Sequence, residues 1–167
     1  MRNIVVFFRP DKRYGEFSNW YKRDFIVDGT TYNCMEQYMM DQKALLFDDT
    51  YVHTMIMRST EPAEMKAWGR KVRDFDQDIW DEEKYDIIVK GLCAKFFQNE
   101  DLKQVLLDTD NKWIGECNKY DTIWGTGLTT YDMINYNYDL NNLPGENLLG
   151  KALMDVRDKL KRLEKNL

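Results

Sequence analysis

The chain has 167 residues, 43% of them hydrophobic, enough for one domain with a sizeable core and too few for two comfortable ones. A formal charge of -5 and a pI near 5.0 argue against a broad nonspecific nucleic-acid surface, while leaving room for a local basic pocket that holds one nucleotide or a strand terminus. Cys34, Cys93 and Cys117 form no CxxC pair, and with one histidine, His53, they speak against a zinc site and for a reducing, cytoplasmic setting.

Met1 to Pro10 is apolar but too short for a signal peptide or a membrane span, so no membrane association is expected. Within it Asn3 to Phe8 reads as a strand, and its near-continuous apolarity suggests an internal one. Asp11 to Gly15 is a polar turn. The following Gly15-Glu16-Phe17-Ser18-Asn19-Trp20 is either a loop whose Ser18 and Asn19 satisfy nearby backbone groups or a pocket wall. As a wall it offers a ring to stack and Asn19 to read an amide or a sugar hydroxyl. Phe25 to Val27, Asp28-Gly29 and Thr30 to Tyr32 make a hairpin with Asp-Gly as its turn.

The hairpin leads into a helix that starts after Asn33 and runs to about Phe47, the pivot of the chain. Tyr32, Met35, Tyr38, Met39, Gln42 and Leu46 supply its packed side by their spacing of three and four. Asn33-x-x-Glu36 has the form of a capping box, with Glu36 reaching back to the cap amide. Glu36 and Lys43 also project within about 20° of one direction, roughly 10 Å apart along the axis, too far for a close salt bridge but suited to flank a small molecule. Cap and functional carboxylate both remain open for Glu36.

A second helix spans Asp49 to Met57, with His53 structural or exposed on it. Ser59 to Pro62 opens a third through Met65, Trp68 and Gly69. Arg70 and Lys71 at its end favour the helix dipole, and Gly69-Arg70 also has the makings of a phosphate clamp. Asp78 or a neighbour caps the longest helix, which buries Tyr85, Ile88, Val89, Leu92 and Phe96, with Trp80 as core or stacking surface. Asn99-Glu100 breaks it before a short continuation through Leu102, Val105 and Leu106. Lys112 to Glu116 is a strand. In Asp121 to Leu128 the glycines Gly125 and Gly127 beside Trp124 make a tight backbone able to receive an anion or a carbonyl, and Asp121 either caps the turn or stands in a cleft. The strand-GxGxxG-helix order of a dinucleotide fingerprint is absent. Tyr131 to Leu143 reads as an irregular loop, closed by Pro144-Gly145. A last helix begins at Asn147 or Leu148, with Leu149, Leu153, Val156, Leu160 and Leu163 as its seam. Gly150-Lys151 is basic where the dipole disfavours it, which a bound phosphate would explain.

Taken in order, Gly15-Glu16-Phe17-Ser18-Asn19, Glu36-Gln37-Tyr38 with Lys43, Gly69-Arg70, Lys95-Phe96, Asp121 to Gly127, and Asn147 to Lys151 with Arg157 resemble the NADAR domain family. The resemblance covers roughly Val5 to Arg157 and implies a single α+β domain, mostly helical with a small β-sheet, that needs no cofactor or metal. It implies cleavage of N-glycosidic bonds, either of ADP-ribose attached to guanine in a nucleotide or nucleic acid, or of a phosphoribosylamino-pyrimidine of riboflavin biosynthesis. A non-catalytic nucleotide sensor with the same pocket is the rival reading. By resemblance Glu36 is the essential glutamate and Lys43, Asp121, Trp124 and Arg70 form the pocket, with Glu36, Lys43 and Asp121 as catalytic residues. Residues and resemblance together put Gly15, Phe17, Ser18, Asn19, Gly69, Arg70, Trp80, Trp124, Gly125, Gly127, Asn147 and Lys151 on the expected substrate side. Gln37 stands where the family commonly has histidine, so this side chain cannot titrate near neutrality. Glu36 then either assists water at an oxocarbenium-like anomeric carbon or shuttles protons while Lys43 forms a transient imine.

Overall fold

The computed structural model describes residues 3–165. In chain order its elements are β1 (Ile4–Phe7), β2 (Phe25–Val27), β3 (Thr30–Tyr32), α1 (Met35–Leu46), α2 (Thr50–Arg58), α3 (Pro62–Gly69), α4 (Gln77–Gln98), α5 (Glu100–Leu107), β4 (Trp113–Glu116), α6 (Thr130–Asn135) and α7 (Leu148–Glu164). The fold is mixed α+β and mostly helical, with its strands in two two-stranded sheets among the described residues. The chain gathers into two compact units, one of residues 19–99 and one of the flanks up to Ser18 and from Glu100 onward.

In the 19–99 unit, β2 and β3 pair antiparallel with Phe25 opposite Tyr32 and Val27 opposite Thr30. Asp28 and Gly29 both take positive φ, 50° and 81°, as the two-residue primed turn requires. The turn delivers the chain into α1, against which α2, α3 and α4 pack. The one-sided packing expected for α1 gives way to burial all round its first two turns, from Met35 through Asp41, while Gln42 and Leu46 are only half-buried. Two glycines allow the approach. A Cβ on Gly69 would come within 2.0 Å of the Met40 sulfur, and one on Gly91 within 2.3 Å of the Tyr38 ring. Tyr38 meets Tyr32 edge-on at 5.2 Å and Phe25 at 6.0 Å, which joins hairpin and helix in one aromatic cluster. The cap of α4 is Asp76 rather than Asp78, accepting from the amides of Asp78 and Ile79.

In the flank unit, β1 and β4 pair in parallel, Ile4 with Trp113 and Phe7 with Glu116. The expected internal strand β1 thus has a single partner strand among the described residues, with Val5 and Phe7 buried on one face and Ile4 and Val6 half-buried on the other. α7 lies on β4, and α5 packs on α7. Arg157 is buried and donates from one terminal nitrogen to Thr109 Oγ1 and to the Lys112 carbonyl, both at 2.8 Å, which ties α7 to the turn before β4. The seam of α7 ends at Leu160, since Leu163 is 54% exposed, so its expected burial is not found. The expected irregular loop over 131–143 begins instead with α6, whose start is a reciprocal capping box of Thr129 and Asp132.

At Gly150 a Cβ would sit 2.2 Å from the Ile114 carbonyl oxygen, a backbone atom held in β4. Gly150→Ala is expected to destabilise the protein by about 1–3 kcal/mol through this overpacking. The check is urea unfolding, with a lower midpoint at unchanged slope.

Candidate active site

The start of α1 is built differently from the expected capping box. Cys34, not Asn33, is the N-cap, and its sulfur accepts from the Gln37 amide at 3.5 Å. The Glu36 amide donates to the Asn19 carbonyl at 2.9 Å. Gln37, one residue further than expected, reaches back: its Oε1 accepts from the Asn33 amide at 2.8 Å. Its Nε2 donates to the carbonyls of Ile56 and Ser59 at 3.3 and 3.4 Å. The helix start is therefore closed by Cys34, Asn19 and Gln37, and the box does not draw on the Glu36 carboxylate. Glu36 itself is only 4% exposed. Burial pushes the Cys34 thiol up to about 11, so it stays protonated, donating to the Met65 sulfur. Asn19 is buried as well, and its Oδ1 has no hydrogen-bond partner among the described residues.

Two turns along α1, Lys43 Nζ donates to the Gly69 carbonyl at 3.0 Å and lies 4.1 Å from the centre of the Phe75 ring and 5.8 Å from that of Trp80. Its pKa is lowered from 10.5, first by burial and then by the like charge of Arg70. Gly69 thus serves twice, as the close contact of α3 with Met40 and as the acceptor for Lys43. Arg70 is the exposed C-cap of α3. Trp80 is buried and belongs to the wall behind Lys43. Phe75 is absent from the sequence expectations. Its signal is slight, a single ring in the charged run Arg73-Asp74-Phe75-Asp76. Asp49 pins this run. Its carboxylate accepts from the Arg73 amide at 2.9 Å and from the guanidinium at 3.1 and 3.2 Å while capping α2 through Val52. These donors hold the Asp49 carboxyl down at about 2. His53, the lone histidine, is a structural residue, with Nδ1 2.5 Å from Oδ1 of buried Asp41. Asp41 Oδ2 accepts from Tyr32 at 2.8 Å, and burial with this neighbour pushes the Tyr32 phenol upward.

In the flank unit the expected site residues hold the backbone together. Gly15 opens a 3₁₀ turn, Gly15–Phe17, where a Cβ would meet the Pro10 carbonyl oxygen at 2.1 Å. Phe17 is wholly buried, edge-on to Phe7 and stacked on Tyr14, each at 5.7 Å. It packs as a core ring. Ser18 is buried, and its amide ends the turn on the Gly15 carbonyl. Asp121 Oδ1 accepts from the amides of Ile123 and Trp124 at 3.0 and 2.8 Å, so the turn-capping alternative is the one formed. Trp124 is half-buried.

The loop 122–126 presents its carbonyls to the chain entering α7. Glu146, Asn147, Leu148 and Leu149 donate to the carbonyls of Thr122, Gly125, Ile123 and Trp124, and Gly145 to that of Thr126. The Thr126 amide is itself taken by the Glu116 carbonyl. Leu148 and Leu149 begin α7, so their amides are not available as a phosphate cradle, and the helix-end rationale for Lys151 is corrected on that ground. Asn147, at φ 54°, puts its carboxamide on β4, donating to the Ile114 carbonyl at 2.9 Å and accepting from the Glu116 amide at 3.1 Å. Both ends of its amide are engaged with the strand. Lys151 is exposed and borders a groove of about 410 Å³ shared with Trp113, Asn141, Pro144 and Met154.

Among the described residues no three His, Cys, Asp or Glu side chains converge on a point that could hold a metal ion. No described helix is long and apolar enough to cross a membrane.

Comparison with known proteins agrees with the mixed α+β fold. The NADAR domain model matches residues 6–161. The chain is 44% identical over 147 residues to an N-glycosidase, R617, of Acanthamoeba polyphaga mimivirus, covering 85% of each. It is 32% identical over 157 residues to the N-glycosidase YbiA of Shigella flexneri, covering 94% of this chain and 88% of that one. The NMR structure of the E. coli protein YbiA superposes with a TM-score of 0.81 at 28% identity, over 100% of this chain and 90% of that one. By family model, sequence and fold alike, this chain belongs to the NADAR domain family.

Proposed function

We propose that this protein is an N-glycosidase that removes ADP-ribose from guanine, in a nucleotide or a nucleic-acid strand. The relatives named N-glycosidases support the reaction class. The observation that carries the mechanism is Lys43, an amine held on the same helix as buried Glu36 with its pKa lowered by burial and Arg70. A lysine so placed offers a larger neutral fraction for attack on carbon.

In the proposed route the sugar ring opens. The bond from C1 to the ring oxygen breaks, that oxygen gains a proton, and C1 becomes doubly bonded to the exocyclic nitrogen. Neutral Lys43 Nζ adds to C1. After proton transfer the bond from C1 to the base nitrogen breaks, the base leaves as its amine, and a lysine–sugar imine remains. One water then hydrolyses the imine and returns the free sugar and the amine of Lys43. Glu36 ferries the protons, and in the flank unit Asp121 shapes the loop that bears Trp124.

The substrate preference rests on charge. Arg70 and Lys71 leave α3 side by side and exposed, a suitable contact for the diphosphate of ADP-ribose. Arg70→Ala is therefore expected to raise KM about 10- to 100-fold, as for a lost charged hydrogen bond, with kcat on its high-pH plateau nearly unchanged. A change in apparent affinity of twofold or less would overturn the assignment. Lys151, with the Gly125 and Gly127 amides, is a secondary candidate for phosphate, tested by Lys151→Ala in the same assay.

The direct experiment is release of sugar by chelator-treated protein from an ADP-ribosyl-guanine oligonucleotide and from the phosphoribosylamino-pyrimidine. A kcat/KM about a hundredfold higher for the first is expected, equivalent to about 2.7 kcal/mol of transition-state discrimination. The reverse ratio replaces the substrate, and tight binding with no release from either makes the domain a sensor.

A further inference from the structure

We infer that Gln37 is the positioning residue of Glu36. The inference rests on the proposed glycosidase reading and adds to it how the carboxylate is kept at its station.

A carboxylate in the first turn of a helix is drawn to the orphan amides there, and a capping box would hold it at the helix end. Here the neighbouring carboxamide takes that duty. Gln37 Oε1 accepts from the Asn33 amide at 2.8 Å, and the Gln37 and Glu36 amides go to Cys34 sulfur and the Asn19 carbonyl. The other end of the same carboxamide donates to the carbonyls of Ile56 and Ser59 at the C-terminal end of α2, where the Ile56 carbonyl also accepts from the Ser59 amide. One side chain, 4% exposed, thus joins the start of α1 to the end of α2. Glu36 sits one residue away on this fixed backbone.

The device demands an acceptor at one end and a donor at the other. A carboxamide meets both at every pH. A carboxylate has no donor for Ile56 and Ser59. An imidazole meets both only when neutral, because its protonated form has two donors and none of the acceptors that Asn33 needs. The three side chains therefore make different pH profiles, which a merely space-filling residue would not.

The experiment compares native protein with Gln37→Glu and Gln37→His on the ADP-ribosyl-guanine oligonucleotide and the phosphoribosylamino-pyrimidine between pH 5 and 9. For Gln37→Glu, kcat is expected to fall about 30-fold or more at pH 8 with KM within about threefold. Gln37→His is expected to keep most of its kcat at pH 8 and to lose it through an added acid limb near pH 6.5, the ordinary histidine value. Should Gln37→Glu not fold, the histidine variant decides by itself, with tryptophan fluorescence confirming that it is folded across the range. A Gln37→His profile that superimposes on the native one, or a folded Gln37→Glu with native kcat, overturns the inference while the glycosidase reading stands. Native protein that releases no sugar from either substrate overturns that reading and this inference with it.

Discussion

Replacing Lys43 by methionine is expected to lower kcat/KM about 10²- to 10⁴-fold, and borohydride treatment during turnover is expected to trap a sugar adduct on Lys43 of the native protein alone. The reason is the amine's setting. Its pKa is lowered by burial and by Arg70, so the neutral amine becomes available at lower pH than in an ordinary lysine. The rate should accordingly rise with pH and level off below 10.5. Arg70→Gln removes the like charge and should move that plateau to higher pH, alongside its effect on KM. The stability change has a definite sign as well. A lysine whose folded pKa lies below its unfolded value opposes folding at low pH, and this cost is relieved as pH rises through the folded pKa toward 10.5. Lys43 is thus a group whose placement disfavours the folded state at neutrality and favours the chemistry. Full activity of Lys43→Arg without any trapped adduct would remove the imine route and leave direct attack of water.

Glu36→Gln is expected to lower kcat about 10²- to 10⁴-fold with KM within about threefold, since the change strikes proton transfer rather than binding. The structure separates this outcome from the loss of a helix cap. The amides at the start of α1 are held by Cys34, Asn19 and Gln37, so the substitution removes no helix cap. Loss of a capping side chain typically costs about 1 kcal/mol, which in a domain of this size is a fall of several degrees. A several-degree fall with little change in kcat would make Glu36 structural after all.

Much of the fold could be read directly. Asp28-Gly29 determined its hairpin because few residues accept two successive positive φ values. Proline at the head of α3 and the apolar repeat of α4 determined those helices through local geometry and periodicity. The order of motifs along the chain was enough to point to the family, since six weak matches in one order are specific together.

Tertiary structure decided the rest, wherever two segments compete for one group. Asn33-x-x-Glu36 has the spacing of a capping box, yet α1 is capped by Cys34, and it is the Gln37 carboxamide that accepts from the Asn33 amide while donating to the carbonyls of Ile56 and Ser59 across on α2. Asp121 and Asn147 have side chains fit for a cleft, but the backbone amides and carbonyls beside them use those same atoms. Phe75 meets Lys43 because Asp49 fixes the run before α4 by binding Arg73, 24 residues away, and because Phe47 packs edge-on against the Phe75 ring. Local sequence determined which elements form and which residues carry chemistry; hydrogen-bond demand between distant segments decided which of those residues remain available for it.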